Sequence, residues 1–151
     1  IADLVRTFKA SKGHRRMVVE ARIEPGIELQ GYPGPLGQIV TNLLQNAILH
    51  GLAGRTDGRI AIDGRRSNTG FELEVIDNGV GIAPEVLARI FEPYFTTRGD
   101  EEGSGLGLSI SRQLAATVLG GRLTVESTPG EGARFLLRAP LSAPLRRDEP
   151  E

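Results

Sequence analysis

The stretch GSGLGLSISRQLAATVLGG, residues 103–121, combines a helical pattern with residues that oppose helix formation. Its apolar residues recur at helical spacing: Leu106, Ile110, Leu114 and Val118. Its first glycines occupy alternate positions: Gly103, Gly105 and Gly107. Glycine costs a helix interior about 1 kcal/mol relative to alanine, so a helix that begins this way needs another reason for its glycines. Close approach of an anionic ligand to the backbone is such a reason, and we expect an anion site here.

The composition predicts a single soluble, globular domain. The chain has 151 residues, of which 39% are hydrophobic and 25% charged. A net charge of -1 with scattered Lys and Arg indicates neither nucleic acid nor an anionic membrane as a partner. No apolar run approaches the roughly 18 residues of a membrane span, so we expect no membrane contact by this chain. Cysteine is absent, which favours a reducing compartment such as the cytoplasm.

Local patterns also predict the order of strands and helices. Runs rich in β-branched or alternating residues predict strands at 15–23, 59–66, 71–78, 122–127 and 133–141. Helices are predicted from Pro35, from Pro84 and after the glycines at 103–107. Because helices and strands are mixed and several strands adjoin in sequence, we expect an α/β fold. It would be a two-layer sandwich, with a mixed sheet covered by helices on one face.

Asn42 and Asn46 lie four residues apart in QIVTNLLQNAILHG, so their amides share one face of the predicted helix. Neutral carbonyl oxygens suit a hard cation that keeps most of its waters and binds phosphates, which describes Mg²⁺. An exposed asparagine pair without a ligand is the alternative, and these two residues alone favour it.

In VIDNGVGI, an apolar strand ends at Asp77, and Gly79 and Gly81 follow. A carboxylate fixed at a strand end can accept a hydrogen bond from the exocyclic amine of adenine, whereas guanine presents a carbonyl that the anion repels. The glycines would let a flat ring approach the backbone. A plain turn between strands is the alternative.

The stretch IFEPYFTTRGDEEGSG, residues 90–105, carries groups suited to phosphates. Hydroxyls and a fixed cation come from Thr96, Thr97 and Arg98. Backbone N–H groups at 105–108, together with the helix dipole, would meet phosphate oxygens. Core packing is the alternative for Phe91 and Phe95, and a flexible linker is the alternative for the glycines.

The order of these segments resembles that of one family. An asparagine helix is followed by DNGVGI, FEPYFTT, GSGLGL and TPGEGARF. This order closely resembles the catalytic ATP-binding domain of sensor histidine kinases, in the superfamily shared with gyrase, MutL and the heat-shock chaperone ATPases. The resemblance covers about residues 15–140. It implies a mixed five-stranded sheet backed by three helices, the Bergerat ATP-binding fold, with ATP and Mg²⁺ as cofactors.

The resemblance also assigns roles to residues. Asn46 matches the Mg²⁺ ligand, Asp77 matches the adenine-binding carboxylate, and residues 91–108 match a mobile lid over the triphosphate. The catalytic residues that it implies are Asn42, Asn46 and Arg98. The nucleotide contacts that it implies are Asn42, Asn46, His50, Asp77, Gly79, Gly81, Ile82, Phe91, Thr96, Thr97, Arg98, Gly103, Ser104, Gly105, Leu106, Gly107 and Leu108.

The chain departs from the family pattern at three points. Leu49 stands where a lysine often follows the Mg²⁺ ligand. His50 shares a helix face with Asn46, and we expect it to supply part of the missing phosphate contact, with a helix C-cap as the alternative. Ala133 replaces a threonine near the adenine. The phosphoacceptor box, a helical histidine followed by an acidic residue, is missing, since His14 precedes a strand.

The implied organisation is a lead-in from dimerisation helices at 1–14, the ATP-binding domain at 15–140 and a disordered tail at 141–151. The implied function is donation of the γ-phosphoryl group of Mg-ATP to a histidine on an upstream dimerisation and phosphotransfer domain of the same protein. That histidine would serve a response regulator. The full-length protein is then expected to be a homodimer with this domain in the cytoplasm, whether or not a membrane anchor is present elsewhere.

Two other functions stay open. A regulatory module that binds nucleotide without transferring phosphate is the alternative that Leu49 and Ala133 support. An ATP hydrolase of the superfamily is disfavoured, because those enzymes carry a glutamate base one helical turn before the Mg²⁺ ligand. This chain has Asn42 there, which cannot accept a proton near neutral pH.

Overall fold

The computed structural model describes residues 17–24, 33–48, 58–95 and 106–140. The described strands are β1 (Met17–Ile23), β2 (Gly58–Ser67), β3 (Gly70–Asp77), β4 (Arg122–Ser127) and β5 (Ala133–Ala139). The described helices are α1 (Pro33–Asn46), α2 (Pro84–Leu87) and α3 (Gly107–Thr117). The strands form one sheet in the order β1-β2-β3-β5-β4, so the last strand in sequence lies inside the sheet.

The sheet is mixed. β1 runs parallel to β2, and every other neighbouring pair of described strands is antiparallel. β2 and β3 form a hairpin in which Ser67 pairs with Gly70, so Asn68 and Thr69 make the turn. A tight turn between two strands fixes their register, which in turn decides which side chains share a face of the sheet.

One row of residues crosses the sheet at the end where β3 stops. It consists of Ile60, Asp77, Ala133 and Ser127. Successive side chains of a strand point to opposite faces, and this row shares a face with the core residues of β3 and β5, such as Leu73, Val75, Phe135 and Leu137. The helices cover this face. Asp77 therefore enters the layer between the sheet and the helices.

The helix α1 contributes a wide apolar face to the core. Its residues without solvent exposure are Ile39, Val40, Leu43 and Leu44. Full burial of such a side chain stabilises a fold by about 1.5–3 kcal/mol. The position of α1 is thus strongly fixed, and with it the positions of the two asparagines on its remaining surface.

The helix α3 buries two small residues more deeply than its regularly spaced apolar residues. Ile110 is 37% exposed, whereas the buried residues of α3 are Ser111 and Ala115, both at 0%. These small side chains face the crowded interior, where α3 lies against α1 and β4. Small residues at a contact let helices approach closely. The prediction of a helix after the glycines is confirmed.

The face of the sheet away from the helices is held by ion pairs. Glu74 on β3 is only 4% exposed, and it contacts Arg65 of β2 at 2.6 Å and Arg134 of β5. Glu72 pairs with Arg65 at 3.2 Å and with Arg138 of β5 at 2.9 Å. Each carboxylate thus joins β3 to both of its neighbours. Removing the partners of a buried carboxylate is strongly destabilising, so Glu74 depends on this arrangement.

The architecture confirms the predicted α/β sandwich with a mixed five-stranded sheet and helices on one face. Element limits differ by a few residues: the helix predicted from Pro35 begins at Pro33, and β5 ends at Ala139 rather than at 141. The predicted lead-in at 1–14 and tail at 141–151 lie outside the described residues, so that division of the chain stays a prediction. No described helix has the length and hydropathy needed to cross a bilayer.

Candidate functional site

Asp77, the last residue of β3, carries a buried carboxylate. It is 4% exposed, and the N–H of Gly79 donates to its Oδ1 at 2.8 Å. The N–H of Ala133 also donates to the carboxylate. Burial raises the pKa of Asp77 above its ordinary value of 3.8, and the two backbone donors oppose this rise. The fold therefore holds a carboxylate in a fixed, poorly solvated position, where a further hydrogen-bond donor would favour its ionised form.

The loop after Asp77 is fastened to the turn between β4 and β5. The N–H of Gly130 donates to the carbonyl oxygen of Val80 at 2.7 Å. The N–H of Ile82 donates to Oγ of Ser127 at 2.8 Å, and the Ser127 hydroxyl donates to the carbonyl oxygen of Gly132 at 2.6 Å. The DNGVGI and TPGEG segments, distant in sequence, thus form one corner beside Asp77.

The corner requires glycine at position 81 whether or not a ligand binds there. Its φ is +76°, and a Cβ on it would lie 2.2 Å from the carbonyl oxygen of Thr128. The expectation that Gly81 lets a flat ring approach the backbone stays a prediction beside this structural requirement. Gly79 has a different use, since its N–H binds Asp77.

Asn42 joins the two longer helices. Its Nδ2 donates to the carbonyl oxygen of Gly107 at 3.1 Å and to Oγ of Ser111 at 2.9 Å. Asn42 is half-buried, so the alternative of an exposed asparagine pair does not describe it. The amide links α1 to the first residue of α3, which is where the sequence predicts an anion site.

Asn46 is the last residue of α1 and is half-buried. Its carboxamide oxygen is a hard, neutral ligand atom for a metal ion. Mg²⁺ prefers such oxygens, keeps several waters and shares the phosphates of a nucleotide, so it needs few protein ligands. The donor chemistry at the end of α1 therefore fits Mg²⁺, with the Oδ1 of Asn42 one helical turn from Asn46; Asn46 as the Mg²⁺ ligand stays a prediction.

The first turn of α3 has no side-chain cap, and Leu106 occupies the N-cap position. The first N–H groups of a helix have no partner inside the helix, and the helix dipole places partial positive charge there. A Cβ on Gly107 would lie 3.7 Å from Cγ of Asn42, an ordinary contact distance. Packing thus does not require glycine at 107, in contrast to Gly81.

The phenylalanines around the predicted lid pack within the fold. Phe91 meets Phe135 edge to face, with ring centroids 6.5 Å apart, and the Arg112 guanidinium lies 5.0 Å from the Phe91 ring centroid. The guanidinium of Arg89 lies 4.5 Å from the ring centroid of Phe95. These contacts support the packing interpretation of both rings. A contact of Phe91 with nucleotide stays a prediction.

Several predicted site residues lie outside the described residues, and their roles stay predictions. They are His50, Thr96, Thr97, Arg98, Gly103, Ser104 and Gly105. Leu106, Gly107 and Leu108 are described at the start of α3, and each is half-buried.

Ser111 belongs to the site but was not predicted from the sequence. A signal for it was present, because Leu108, Ser111 and Ala115 are spaced three and four residues apart. That spacing defines one helix face, on which serine is the only polar residue of the three. A buried hydroxyl needs a hydrogen-bond partner, which points to a contact with another element.

Comparison with known proteins identifies the class. A family described as "Histidine kinase-, DNA gyrase B-, and HSP90-like ATPase" matches residues 31–143. The two-component sensor PprA of Pseudomonas aeruginosa is 44% identical over 120 residues, which cover 77% of this chain and 13% of PprA. The sensor protein ChvG of Rhizobium meliloti is 37% identical, over 93% of this chain and 26% of ChvG.

Solved structures give the same result. The catalytic domain of histidine kinase ThkA matches with a TM-score of 0.74 at 26% identity, over 94% of this chain and 93% of that domain. Full-length ShkA in complex with AMPPNP matches with a TM-score of 0.78 at 28% identity, over 92% of this chain and 28% of ShkA.

The chain belongs to the family of histidine kinase-, gyrase B- and HSP90-like ATPases. Within that family, it is a catalytic domain of the sensor histidine kinase type. It spans only 12% to 26% of the length of the first curated relatives that it matches.

Proposed function

We propose that this domain binds Mg-ATP and donates the γ-phosphoryl group to a histidine on a separate dimerisation and phosphoacceptor domain of the same protein. The phosphoryl group would then pass to an aspartate of a response regulator. Relatives named as two-component sensors and sensor histidine kinases support this function. The structural observation that carries it is the buried, backbone-held carboxylate of Asp77.

The carboxylate of Asp77 would select adenine. An exocyclic amine can donate to it, whereas the corresponding carbonyl of guanine cannot. A hydrogen bond to a charged group contributes about 1.5–3 kcal/mol. Ala133 lies in the same row and is 6% exposed, so it supplies its N–H to Asp77 but no hydroxyl.

The uncapped first turn of α3 would bind the phosphates. Its N–H groups and the helix dipole suit an anion, and the predicted Thr97 and Arg98 would add a hydroxyl and a fixed positive charge. Asn46 would hold Mg²⁺, which neutralises phosphate charge when it is bound. The contact between Asn42 and Gly107 would keep Asn46 on α1 and the first turn of α3 at a fixed spacing.

Transfer forms a bond between an imidazole nitrogen of the acceptor histidine and the γ-phosphorus. The bond from the γ-phosphorus to the bridging oxygen breaks, and that oxygen leaves with ADP. Phosphoryl transfer of this kind needs positioning and charge neutralisation more than covalent chemistry by the protein. Asn42, in the place of the hydrolases' glutamate, provides no base for activating water.

Replacing Gly107 with alanine is expected to weaken ATP binding without weakening the fold. A methyl group at 107 meets only an ordinary contact with Asn42, and alanine favours a helix more than glycine does. Phosphates close to the backbone would clash with that methyl, so we expect at least about a tenfold loss of affinity, equivalent to one lost charge-assisted hydrogen bond. Calorimetry with ATP measures the loss.

Adenosine is the control ligand for the Gly107→Ala variant, because it lacks phosphates and its affinity should not change. Thermal unfolding without ligand should show equal or higher stability than the parent. ATP affinity equal to that of the parent would place the phosphates away from the start of α3.

The domain is also expected to bind ATP without labelling itself. The chain contains two histidines, and neither is predicted to be a phosphoacceptor. With ATP labelled at the γ-phosphate and Mg²⁺, we expect acid-labile label on a separate helical domain that carries a histidine followed by an acidic residue. The measurement is gel autoradiography before and after acid treatment.

The controls for this transfer assay separate the remaining functions. Label on the purified domain alone would contradict the assignment of the acceptor to another domain. Normal ATP binding without transfer to any acceptor would favour the regulatory module. Release of inorganic phosphate at the rate of ATP consumption would favour a hydrolase.

A further inference from the structure

We propose that Ser111 is a positioning residue for phosphoryl transfer: through the amide of Asn42, it fixes the start of α3 relative to α1. The inference rests on the function proposed above, because it concerns how the phosphate-binding turn is held beside the metal-binding helix. Ser111 is fully buried and acts on the nucleotide only through Asn42.

The orientation of the Asn42 amide follows from its two partners. The carbonyl oxygen of Gly107 can only accept a hydrogen bond, so the amide group 3.1 Å from it must be the NH₂. The same NH₂ lies 2.9 Å from Oγ of Ser111. An amide nitrogen has two hydrogens, and α3 uses both. The Oδ1 of Asn42 is then the one polar atom of this side chain that is not committed to α3.

The position of that oxygen gives the contact a functional meaning. A Cβ on Gly107 would lie 3.9 Å from Oδ1 of Asn42, so the oxygen lies beside the first residue of α3. This is the place where the phosphates are proposed to bind. A hard, neutral oxygen there suits the hydrated cation that accompanies a triphosphate. The direction of Oδ1 is therefore part of the site.

No other described residue of α3 next to Ser111 on the buried stripe can replace it. Leu108 and Ala115 carry no polar side-chain atom. Because Ser111 is 0% exposed, solvent cannot take the place of its hydroxyl. Without Oγ, one amide hydrogen of Asn42 would be left without a partner, which is unfavourable. The amide would keep one contact, with Gly107, and would turn more freely about its Cβ–Cγ bond.

The test compares Ser111→Ala with Ser111→Cys. We expect Ser111→Ala to weaken Mg-ATP binding about threefold to tenfold, as expected for one neutral hydrogen bond, and to leave adenosine binding unchanged. Cysteine has a similar size and a weakly accepting sulfur, so Ser111→Cys should restore part of the affinity. Affinities come from calorimetry with Mg-ATP, ATP in EDTA, and adenosine.

Ala115→Gly is the matched control. Ala115 is also buried on α3, and its replacement lowers helix stability and packing without touching the Asn42 contact. We expect this variant to unfold at a lower temperature and to keep the parental ratio of Mg-ATP to adenosine affinity. If Ala115→Gly changes that ratio as much as Ser111→Ala does, the effect is a general loss of stability and the positioning role is wrong.

A double variant tests whether Ser111 acts through Asn42. In an Asn42→Ala background, Ser111→Ala should cause no further loss of Mg-ATP affinity. Additive losses would overturn the proposal, because they would show that Ser111 acts by another route. So would a Ser111→Ala affinity within the error of the parent, or an equal loss for adenosine.

Nuclear magnetic resonance of the ligand-free, ¹⁵N-labelled domain separates this inference from the proposed function. The Asn42 side-chain NH₂ signals are identified by their absence in Asn42→Ala. We expect them to be slow to exchange with solvent in the parent and faster in Ser111→Ala. A parent domain that fails to bind Mg-ATP would defeat the proposed function, whereas unchanged NH₂ exchange in Ser111→Ala would defeat the positioning role alone.

Discussion

Asparagine in place of Asp77 is expected to lower the affinity for ATP roughly tenfold to a hundredfold while the domain stays folded. The variant loses a charge-assisted hydrogen bond to the base, which typically contributes about 1.5–3 kcal/mol. Its side-chain oxygen can still accept the N–H of Gly79, so the loop keeps its support. Calorimetry with ATP measures the loss, and unchanged affinity would remove Asp77 from the adenine site.

The same variant should change the preference between bases. An asparagine amide can donate to the carbonyl of guanine, which the carboxylate repels. We therefore expect the affinity for GTP to rise while the affinity for ATP falls, so that the ratio of the two affinities falls by more than the ATP affinity does. An unchanged ratio would mean that Asp77 supports the loop without contacting the base.

The stability of Asp77→Asn should move in the opposite direction to its affinity. Burial raises the pKa of Asp77 above 3.8, so the folded state disfavours ionisation. Such a group stabilises the fold fully below its unfolded pKa, and this contribution is lost as pH rises through the folded pKa. At pH 7 the carboxylate of the ligand-free parent is ionised and buried, which is unfavourable for folding. Asparagine carries no charge and removes this cost.

Thermal unfolding of the ligand-free proteins checks this sign. Asp77→Asn should unfold at an equal or higher temperature than the parent at pH 7. The difference should shrink as the pH falls toward 3.8, because the carboxyl of the folded parent, with its raised pKa, becomes protonated above that pH. A variant that is clearly less stable at pH 7 would show that the backbone donors of Gly79 and Ala133 outweigh burial.

Replacing Gly132 with alanine is expected to destabilise the domain by about 3 kcal/mol or more. Gly132 has a φ of +80°, and a Cβ on it would lie 2.0 Å from the backbone oxygen of Asp77. Both the positive φ and the overlap are unfavourable, and the overlap involves backbone that cannot move aside like a flexible side chain. The midpoint of urea unfolding measures the loss. ATP affinity should fall too, because the overlap displaces Asp77.

Gly130→Ala is the matched control in the same turn. Gly130 has a φ of +85°, but a Cβ on it would have no neighbouring atom within 4 Å. This variant should be destabilised only by the cost of placing alanine at a positive φ, about 1–2 kcal/mol. The difference between the two variants isolates the close approach of the turn to Asp77. Equal losses would mean that this approach relaxes without effect on the fold.

Local sequence patterns were sufficient for most elements and for the position of Asp77 at a strand end, whereas its assignment to adenine needed the family resemblance. The limits predicted for β4 agree with the structure, because a sheet covered on one face leaves an alternating pattern in each strand. Asp77 was identified because an apolar strand that ends in Asp-Asn-Gly places a carboxylate at a sheet end. The hairpin of β2 and β3 was readable from its short polar turn.

Contacts between distant segments were not predictable in this way. Asn42 is 65 residues from Gly107 and 69 from Ser111, and no periodicity reports which residues meet across such separations. For that reason the contact of Ser111 with Asn42 was missed. The buried Glu74 was missed as well, since its charge suggests exposure unless its flanking arginines on β2 and β5 are known.

The strand order has a consequence for the growing polypeptide. β5 leaves the ribosome after all other described strands, yet it lies between β3 and β4 and supplies the N–H of Ala133 to Asp77. Until it arrives, β3 has a free edge and β4 has no neighbour in the sheet. Pairing over such long separations is slow, and exposed strand edges favour association between chains. The strand next to Asp77 is therefore completed last during translation, and a ribosome that stalls before Ala139 holds a chain whose sheet is unfinished and whose strand edges are exposed to misassembly.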